Sequence, residues 1–261
     1  MVVVAIAMVL IGYAFVVDNV ILVYGFSGFA VFGFFKIFQN RLTNATTTKV
    51  MTILANDLGY DGFQQVPDLW ETLKATPYFR GLRVRQIINQ ITGQLAGIRY
   101  RTCFSHVTDS DDENPKTVFR GVVIVATVES IQNFDIIPKR SRQRGILLEL
   151  FGKRQDEALM SIHHNGEFFE IFSKSDLGYD AFKAYFKTLD DAVRDPLMLT
   201  FVQRSRTQCV AGFEADQRLF KIGGIFKGKA AVRQDIEQAL SNLKIPVKMA
   251  AGIIAAEAEL G

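Results

Sequence analysis

The residue pattern closest to a known chemical motif lies near the C-terminal end of the chain. Residues 223–230 read GGIFKGKA and fit G-x-x-x-x-G-K, in which backbone amides and a lysine bind nucleotide phosphates. Such a loop needs Ser or Thr at the next position for its magnesium ion, and here that position is Ala230. The short remainder of the chain reads as a helix, without the further parallel strands that the fold requires. The segment therefore predicts a loop before a helix.

Five residues are of the types that hold zinc or form a Cys–His nucleophile pair: Cys103, His106, His163, His164 and Cys209. Cys103 and His106 lie on one predicted strand at a spacing that places them on opposite faces. The chain has no C-x-x-C pair, and two cysteines are too few for a disulfide scaffold. Since both cysteines lie in apolar stretches, we predict buried, reduced thiols and neither a metal nor a cofactor.

Carboxylates are the remaining candidates for acid–base chemistry. Asp190 and Asp191 end a predicted helix and are expected to be solvated, and Glu167 and Glu170 flank a Phe-Phe pair. The acidic segment 109–116 lacks the glycine and glutamate positions of an EF-hand loop and predicts a solvated turn. No pair of acids stands in a context that indicates proton transfer. The sequence therefore predicts no catalytic residues.

A basic loop at 139–144, KRSRQR, is the candidate binding feature, and its charges are Lys139, Arg140, Arg142 and Arg144. Near a bilayer such residues are attracted to anionic headgroups by about 1 kcal/mol each. The alternative is an ordinary solvated loop. The net charge of the chain is only +3, a bias too weak to indicate a nucleic-acid partner.

These residues follow a strongly apolar N-terminal region. Residues 2–17 and 20–35 carry no charge and are separated by Asp18 and Asn19. A spanning helix needs about 20 apolar residues, so each run is slightly short. Two topologies follow: a helical hairpin that turns at Asp18, or one span in the second run. Burying Asp18 at mid-bilayer costs about 2.5–3.5 kcal/mol, which favours the hairpin.

The basic residues Lys36, Arg41 and Lys49 follow the second run, and no Lys or Arg precedes the first. Positive charge concentrates on the cytoplasmic side, so both topologies predict an inner-membrane protein with a cytoplasmic domain. A cleaved signal peptide is the competing interpretation. It requires a positive start and a small-residue cleavage site, and neither is present.

The domain organisation predicted is a membrane anchor at 1–38 and a cytoplasmic α+β domain at 39–261. A β-branched strand at 117–128 and interspersed helices without a βαβ rhythm indicate a mostly antiparallel sheet with packed helices. Residues 158–163 and 168–173 read as strands or short helices. The other predicted elements are hairpins at 91–107 and 197–213, and helices at 41–60, 177–193 and 230–244, the last stopped by Pro246.

Several stretches together are similar to a known family. They are TPYFRGLRVRQIINQITGQLAGIRYRTCFSHV, KTVFRGVVIVATVESIQNFDIIPKR and HHNGEFFEIFSKSD, with Phe119-Arg120-Gly121 and Glu167 to Phe172 the most telling. Over residues 20–247 the chain resembles the bacterial membrane family listed as domain of unknown function 3137. The resemblance implies a membrane-anchored α+β domain and supplies no catalytic residues. Members of that family usually carry a charged helical segment before the first span, whereas this chain starts at the span.

Two functions from different classes are compatible with these patterns. The first is a non-catalytic module that binds a protein or lipid partner, and the second is an enzyme acting on a lipid or envelope precursor. A deep pocket of clustered titratable side chains would favour the enzyme. A surface with an exposed apolar or basic patch would favour the binding module.

Overall fold

A computed structural model describes residues 41, 45, 47–64, 68–109, 115–139, 160–164, 166–173, 177–193, 197–215 and 228–260. The predicted spans, Arg140 to Arg144 and the segment 223–227 lie outside these residues. The chain divides into two compact units, Met1–Lys49 with Ile222–Ile236 and Val50–Lys221 with Glu237–Gly261. The sheet belongs to the second unit.

The described residues form one sheet of nine strands, and every pairing in it is antiparallel. The strands are β1 (Gly62–Gln64), β2 (Arg83–Leu95), β3 (Ile98–Thr108), β4 (Thr117–Thr127), β5 (Phe134–Pro138), β6 (Met160–His164), β7 (Glu167–Ser173), β8 (Met198–Arg204) and β9 (Gln208–Glu214). Their order across the sheet is β1-β2-β3-β4-β9-β8-β5-β7-β6. The predicted α+β class and both hairpins are confirmed, and the two ambiguous segments are strands.

The turn between β2 and β3 shows how the sequence sets the strand pairing. Ala96 and Gly97 both have positive φ, 48° and 82°. Positive φ at both central residues defines the type I′ turn, whose twist matches that of two paired strands. The hairpin is longer than predicted, because β2 begins at Arg83.

The helices are α1 (47–57), α2 (Trp70–Lys74), α3 (Tyr179–Val193), α4 (Lys229–Asn242) and α5 (Ile245–Ala258), with a 3₁₀ turn at Pro77–Phe79. The predicted helix at 177–193 is confirmed as α3, and one face of it carries an apolar stripe whose members, Phe182, Tyr185, Phe186 and Leu189, are fully buried. Gly59, with φ of 79°, follows α1, a backbone conformation that glycine commonly adopts just after a helix.

The two faces of the sheet carry different layers. Helices α3 and α5 pack on one face, where Tyr185 and Glu257 reach Cys209 and Arg204. On the opposite face α2 and the 3₁₀ turn cover an aromatic core. Alternate side chains of a strand point to opposite faces, so each central strand serves both layers.

The predicted end of the 230–244 helix before Pro246 is confirmed, but the tail beyond it forms more than the further turn of helix that the sequence left open. Helix α4 does stop at Asn242, but Pro246 lies in the first turn of α5, which continues to Ala258. Proline is well tolerated there because its missing N–H has no partner in the first turn. The alanine-rich tail is therefore a core helix, with Met249, Ala250 and Ile253 fully buried.

Among the described residues, one helical stretch, Lys229–Ala258, has the length and composition to cross a membrane. Of its most apolar window, 56% is buried inside the protein, as in the core helix of a folded domain. The stretch is also interrupted between Asn242 and Ile245.

Gly121 lies inside β4, where the backbone of β9 approaches it closely. A methyl group on its Cα would lie 1.9 Å from the backbone oxygen of Phe213 on β9. We expect Gly121→Ala to lower the free energy of unfolding by about 1–3 kcal/mol, because the two strands must separate. Urea unfolding measures the change. Gly178→Ala is the control, since nothing lies within 4 Å of the added methyl, and equal losses for the two variants would contradict the assignment.

Candidate functional site

Of the four basic residues predicted to contact headgroups, the described part of the chain contains Lys139. It directly follows β5, and its backbone N–H donates to the carbonyl of Phe168 over 2.8 Å. The Lys139 side chain is exposed. Arg140, Arg142 and Arg144 lie outside the described residues, so their placement stays a prediction.

Lys139 borders a surface cleft of about 540 Å³, lined by Pro138, Lys139, Gly166, Glu167 and Phe168. We call it the Phe168 cleft. Gly166 has φ of 82° and forms the tight turn between β6 and β7. The turn holds Phe168 beside Lys139 while the next residue, Phe169, is buried on the other face.

Phe168 is the large apolar side chain of this cleft, and 56% of it is exposed. The His163 ring lies against it at a centroid distance of 4.7 Å, because the two residues are opposite each other on β6 and β7. An exposed aromatic ring beside an ammonium group is the combination found at membrane interfaces, where the ring contacts acyl chains and the cation contacts headgroups.

A second concave site lies on the aromatic face of the sheet, next to the 3₁₀ turn. It has a volume of about 370 Å³, and its wall includes Thr76, Pro77, Asp135, Gln203 and Gln208. We call it the Asp135 cavity. Asp135 on β5 and Gln203 on β8 are directly opposite in the strand register, which brings their side chains together. Gln203 Nε2 donates to Asp135 Oδ1 over 2.8 Å.

Both polar groups of this pair are buried, at 5% exposure for Asp135 and 4% for Gln203. Gln203 Oε1 has no hydrogen-bond partner within the described residues. Burial raises the pKa of Asp135 to about 7, and the hydrogen bond from Gln203 opposes that rise only in part. The carboxyl is therefore poised to gain or lose a proton near neutral pH.

The stability of the domain should depend on this proton. Asp135 in the unfolded chain ionises near its ordinary pKa of 3.8, whereas the folded domain holds the proton up to about pH 7. The free energy of unfolding should therefore fall as pH rises between these values, by at most about 1.4 kcal/mol per pH unit. Urea titrations across this range measure the slope. Asp135→Asn should flatten it, and an unchanged slope would contradict the assignment.

On the helical face, Arg204 forms the centre of a buried polar network. Its side chain is completely buried, and it donates from Nε and Nη2 to the two oxygens of Glu257 over 2.7 and 2.8 Å. Nη1 donates to the carbonyls of Val128, Ser205 and Gln208. These bonds satisfy the guanidinium, so the network fastens α5 to the sheet.

The prediction that Asp190 is solvated is wrong. Asp190 is 1% exposed, and its Oδ1 accepts from the backbone N–H of Leu199 over 3.1 Å. Its Oδ2 lies 2.7 Å from His164 Nε2. Helix α3 packs its C-terminal part on the sheet, so a residue near the helix end is covered by β6 and β8. Asp191, one position on, is bonded to Lys187 at the surface.

The prediction of buried, reduced thiols is confirmed for both cysteines, which are free and buried. Burial raises the pKa of each thiol to about 12, so little thiolate forms near neutral pH. We expect a thiol reagent to modify both only as fast as the domain unfolds. Rapid modification under native conditions would contradict this.

Within the described ranges, no three His, Cys, Asp or Glu residues gather in a group that could hold a metal ion.

No protein-family model, curated protein or solved structure matches the chain. The resemblance to domain of unknown function 3137 thus stays a prediction from the sequence.

The Asp135 cavity was not predicted from the sequence, because its polar residues form no spaced motif. The available signal was a polar residue inside an apolar strand, as in the sequence FDIIP around Asp135 and in MLTFVQR around Gln203. Such residues become a pair only through the register of β5 with β8.

Proposed function

We propose that this chain is a membrane-tethered, non-catalytic module whose Phe168 cleft binds anionic lipid headgroups. The observation that carries the proposal is the exposed Phe168 ring beside the exposed Lys139 side chain in one cleft. Lys139 supplies the positive charge that a phosphate attracts, and Phe168 supplies the apolar surface that the bilayer edge accommodates.

Two features of the sequence support this proposal. The runs 2–17 and 20–35 would hold the domain at a membrane, and the basic residues after them indicate the cytoplasmic face of the inner membrane. Three arginines follow Lys139 within five positions, so the chain adds further positive charge directly after the cleft. Lipid is favoured over an unknown protein partner because the same cleft combines a cation with a ring.

The alternative, an enzyme acting on a lipid or envelope precursor, is favoured by one observation, the pKa of about 7 for Asp135. General acid–base catalysis operates best with such a group. Among the described residues that line the Asp135 cavity, however, the other charged residue is Arg204. Its guanidinium is held by Glu257 and backbone carbonyls, so the described lining residues supply no second acid or base beside Asp135.

The proposal can be tested with a dye placed beside the cleft. Ser161 is exposed on β6, two residues from His163, and both native thiols are buried, so Ser161→Cys offers a selective labelling site that leaves the residues lining the cleft unchanged. The labelled full-length chain is reconstituted in nanodiscs that contain nitroxide-headgroup lipids. We expect stronger quenching with anionic than with zwitterionic labelled lipid, and the difference should shrink at 1 M salt, where the Debye length is about 3 Å.

Matched variants distinguish headgroup binding in the Phe168 cleft from the general proximity of the tethered domain to the bilayer. Lys139→Gln should remove most of the difference between the two lipids. Lys248→Gln, which removes an exposed lysine from α5, should leave it unchanged. Equal quenching by anionic and zwitterionic lipid in the unaltered cleft would refute the proposal.

A further inference from the structure

The Asp135 cavity contains a buried hydrogen-bond acceptor that is unsatisfied within the described residues. Gln203 is 4% exposed, and its Oε1 has no partner within the described residues. Leaving a buried acceptor without a donor is unfavourable, because the group has lost its hydrogen bonds to water. A group that donated to this oxygen would offset that loss.

Asp135, the neighbour of Gln203, can also accept more hydrogen bonds than it does. In the described structure its carboxyl takes one hydrogen bond, from Gln203 Nε2 to Oδ1. A carboxylate can accept several such bonds through its two oxygens. The oxygens of Asp135 and Gln203 can therefore accept further hydrogen bonds. A ligand that occupies these acceptors must supply N–H or O–H groups.

The charge of the lining selects among such ligands. Besides Asp135, the described wall has one charged residue, Arg204, and its charge is balanced by the bidentate bond to Glu257. The remaining polar wall is neutral and includes Asn133, Thr76 and Gln208. Ionised Asp135 would thus be a buried negative charge without a cation, a costly arrangement that a bound cation would relieve.

The remaining wall and the size of the cavity indicate the shape of the ligand. Ala75, Pro77 and Val210 contribute apolar surface beside the polar pair. The volume of about 370 Å³ falls in the range of sites for small organic molecules. A planar cation with parallel N–H donors matches a carboxylate better than a single point charge does.

We propose that the Asp135 cavity is a binding site for a small organic cation of the amidinium or guanidinium class, held by the Asp135 carboxylate and Gln203 Oε1. The site is separate from the Phe168 cleft in both residues and chemistry. A result that refutes headgroup binding would therefore leave the proposal for the Asp135 cavity unaffected, and the reverse also holds.

Benzamidine and benzamide form a matched pair of probes, because they have the same shape and differ in charge and in donor number. Calorimetric titration uses the full-length chain in phosphatidylcholine nanodiscs, with empty nanodiscs subtracted. We expect benzamidine to bind at least tenfold more tightly than benzamide. Near pH 6, where Asp135 still holds its proton, benzamidine binding should release a proton, detected as a heat that varies with the ionisation enthalpy of the buffer.

Variants locate the interaction. Asp135→Asn should reduce benzamidine binding at least tenfold and abolish the proton release, and Gln203→Leu should weaken binding without removing the proton release. Asp180→Asn, at an exposed position on α3, should change neither. Circular dichroism establishes that each variant is folded. Equal affinity for the two probes, no binding of benzamidine, or full binding by folded Asp135→Asn would each overturn the proposal.

Discussion

Replacing Glu257 with alanine should lower the free energy of unfolding by about 3–5 kcal/mol, because it leaves the fully buried Arg204 guanidinium without a counter-charge. The same change removes the acceptor of the 3.2 Å hydrogen bond from Tyr185. Helix α5 would then lose its polar contacts with Arg204 on the sheet and with Tyr185 on α3. Urea unfolding of the full-length chain measures the loss.

Two further variants test whether the charge is the cause. Glu259→Ala removes an exposed carboxylate just after the same helix and should have little effect. The double variant Arg204→Met with Glu257→Leu should recover much of the stability, because it replaces the ion pair with apolar groups. A loss below about 1 kcal/mol for Glu257→Ala, typical of a surface pair, would contradict the account.

Phe201→Ala should have an effect of similar size, about 3–5 kcal/mol, on the opposite face of the sheet. The Phe201 ring is fully buried and stacks on Tyr78 at a centroid distance of 3.8 Å. It also meets the rings of Phe79 and Phe119 edge-on, each at 5.4 Å. Alanine would leave a cavity in the layer that holds the 3₁₀ turn against the sheet.

The matched control keeps the apolar character and most of the volume. Phe201→Leu should lose less than half as much stability as Phe201→Ala, since the site is only partly emptied. The comparison is made by urea unfolding at one pH. Equal losses for leucine and alanine would mean that ring stacking, and not filled volume, decides the stability of this layer.

The sequence predicts most of the sheet because its signals are local. The β-branched run at 117–128 and the alternation around the turn at Ala96-Gly97 each specify a strand or hairpin without reference to distant residues. The apolar residues that form the stripe of α3 recur at helical spacing within one segment, so they too form a local signal. The sequence predicts a helix end before Pro246 but not the full helix that follows, because proline in the first turn of a new helix gives the same local signal as proline after the end of the previous one.

The candidate sites depend on contacts that the sequence does not display. The sequence predicts Asp190 at the surface, because its burial depends on β6 and β8 covering the end of α3. Asp135 and Gln203 are far apart in sequence, and only strand register places them together. Lys139 was identified from charge alone, whereas the exposed Phe168 beside it follows from the β6–β7 turn.

The most direct test of headgroup binding is lipid competition on the intact protein. The full-length chain in detergent is mixed with equal amounts of phosphatidylglycerol and phosphatidylcholine, and native mass spectrometry records which lipid stays bound. We expect phosphatidylglycerol adducts to dominate, and the double variant Lys139→Gln with Phe168→Ser to lose that preference. The control variant Lys248→Gln with Ile131→Ser alters two exposed residues elsewhere and should retain it. An unchanged preference for phosphatidylglycerol in the Lys139 and Phe168 variant would contradict the account.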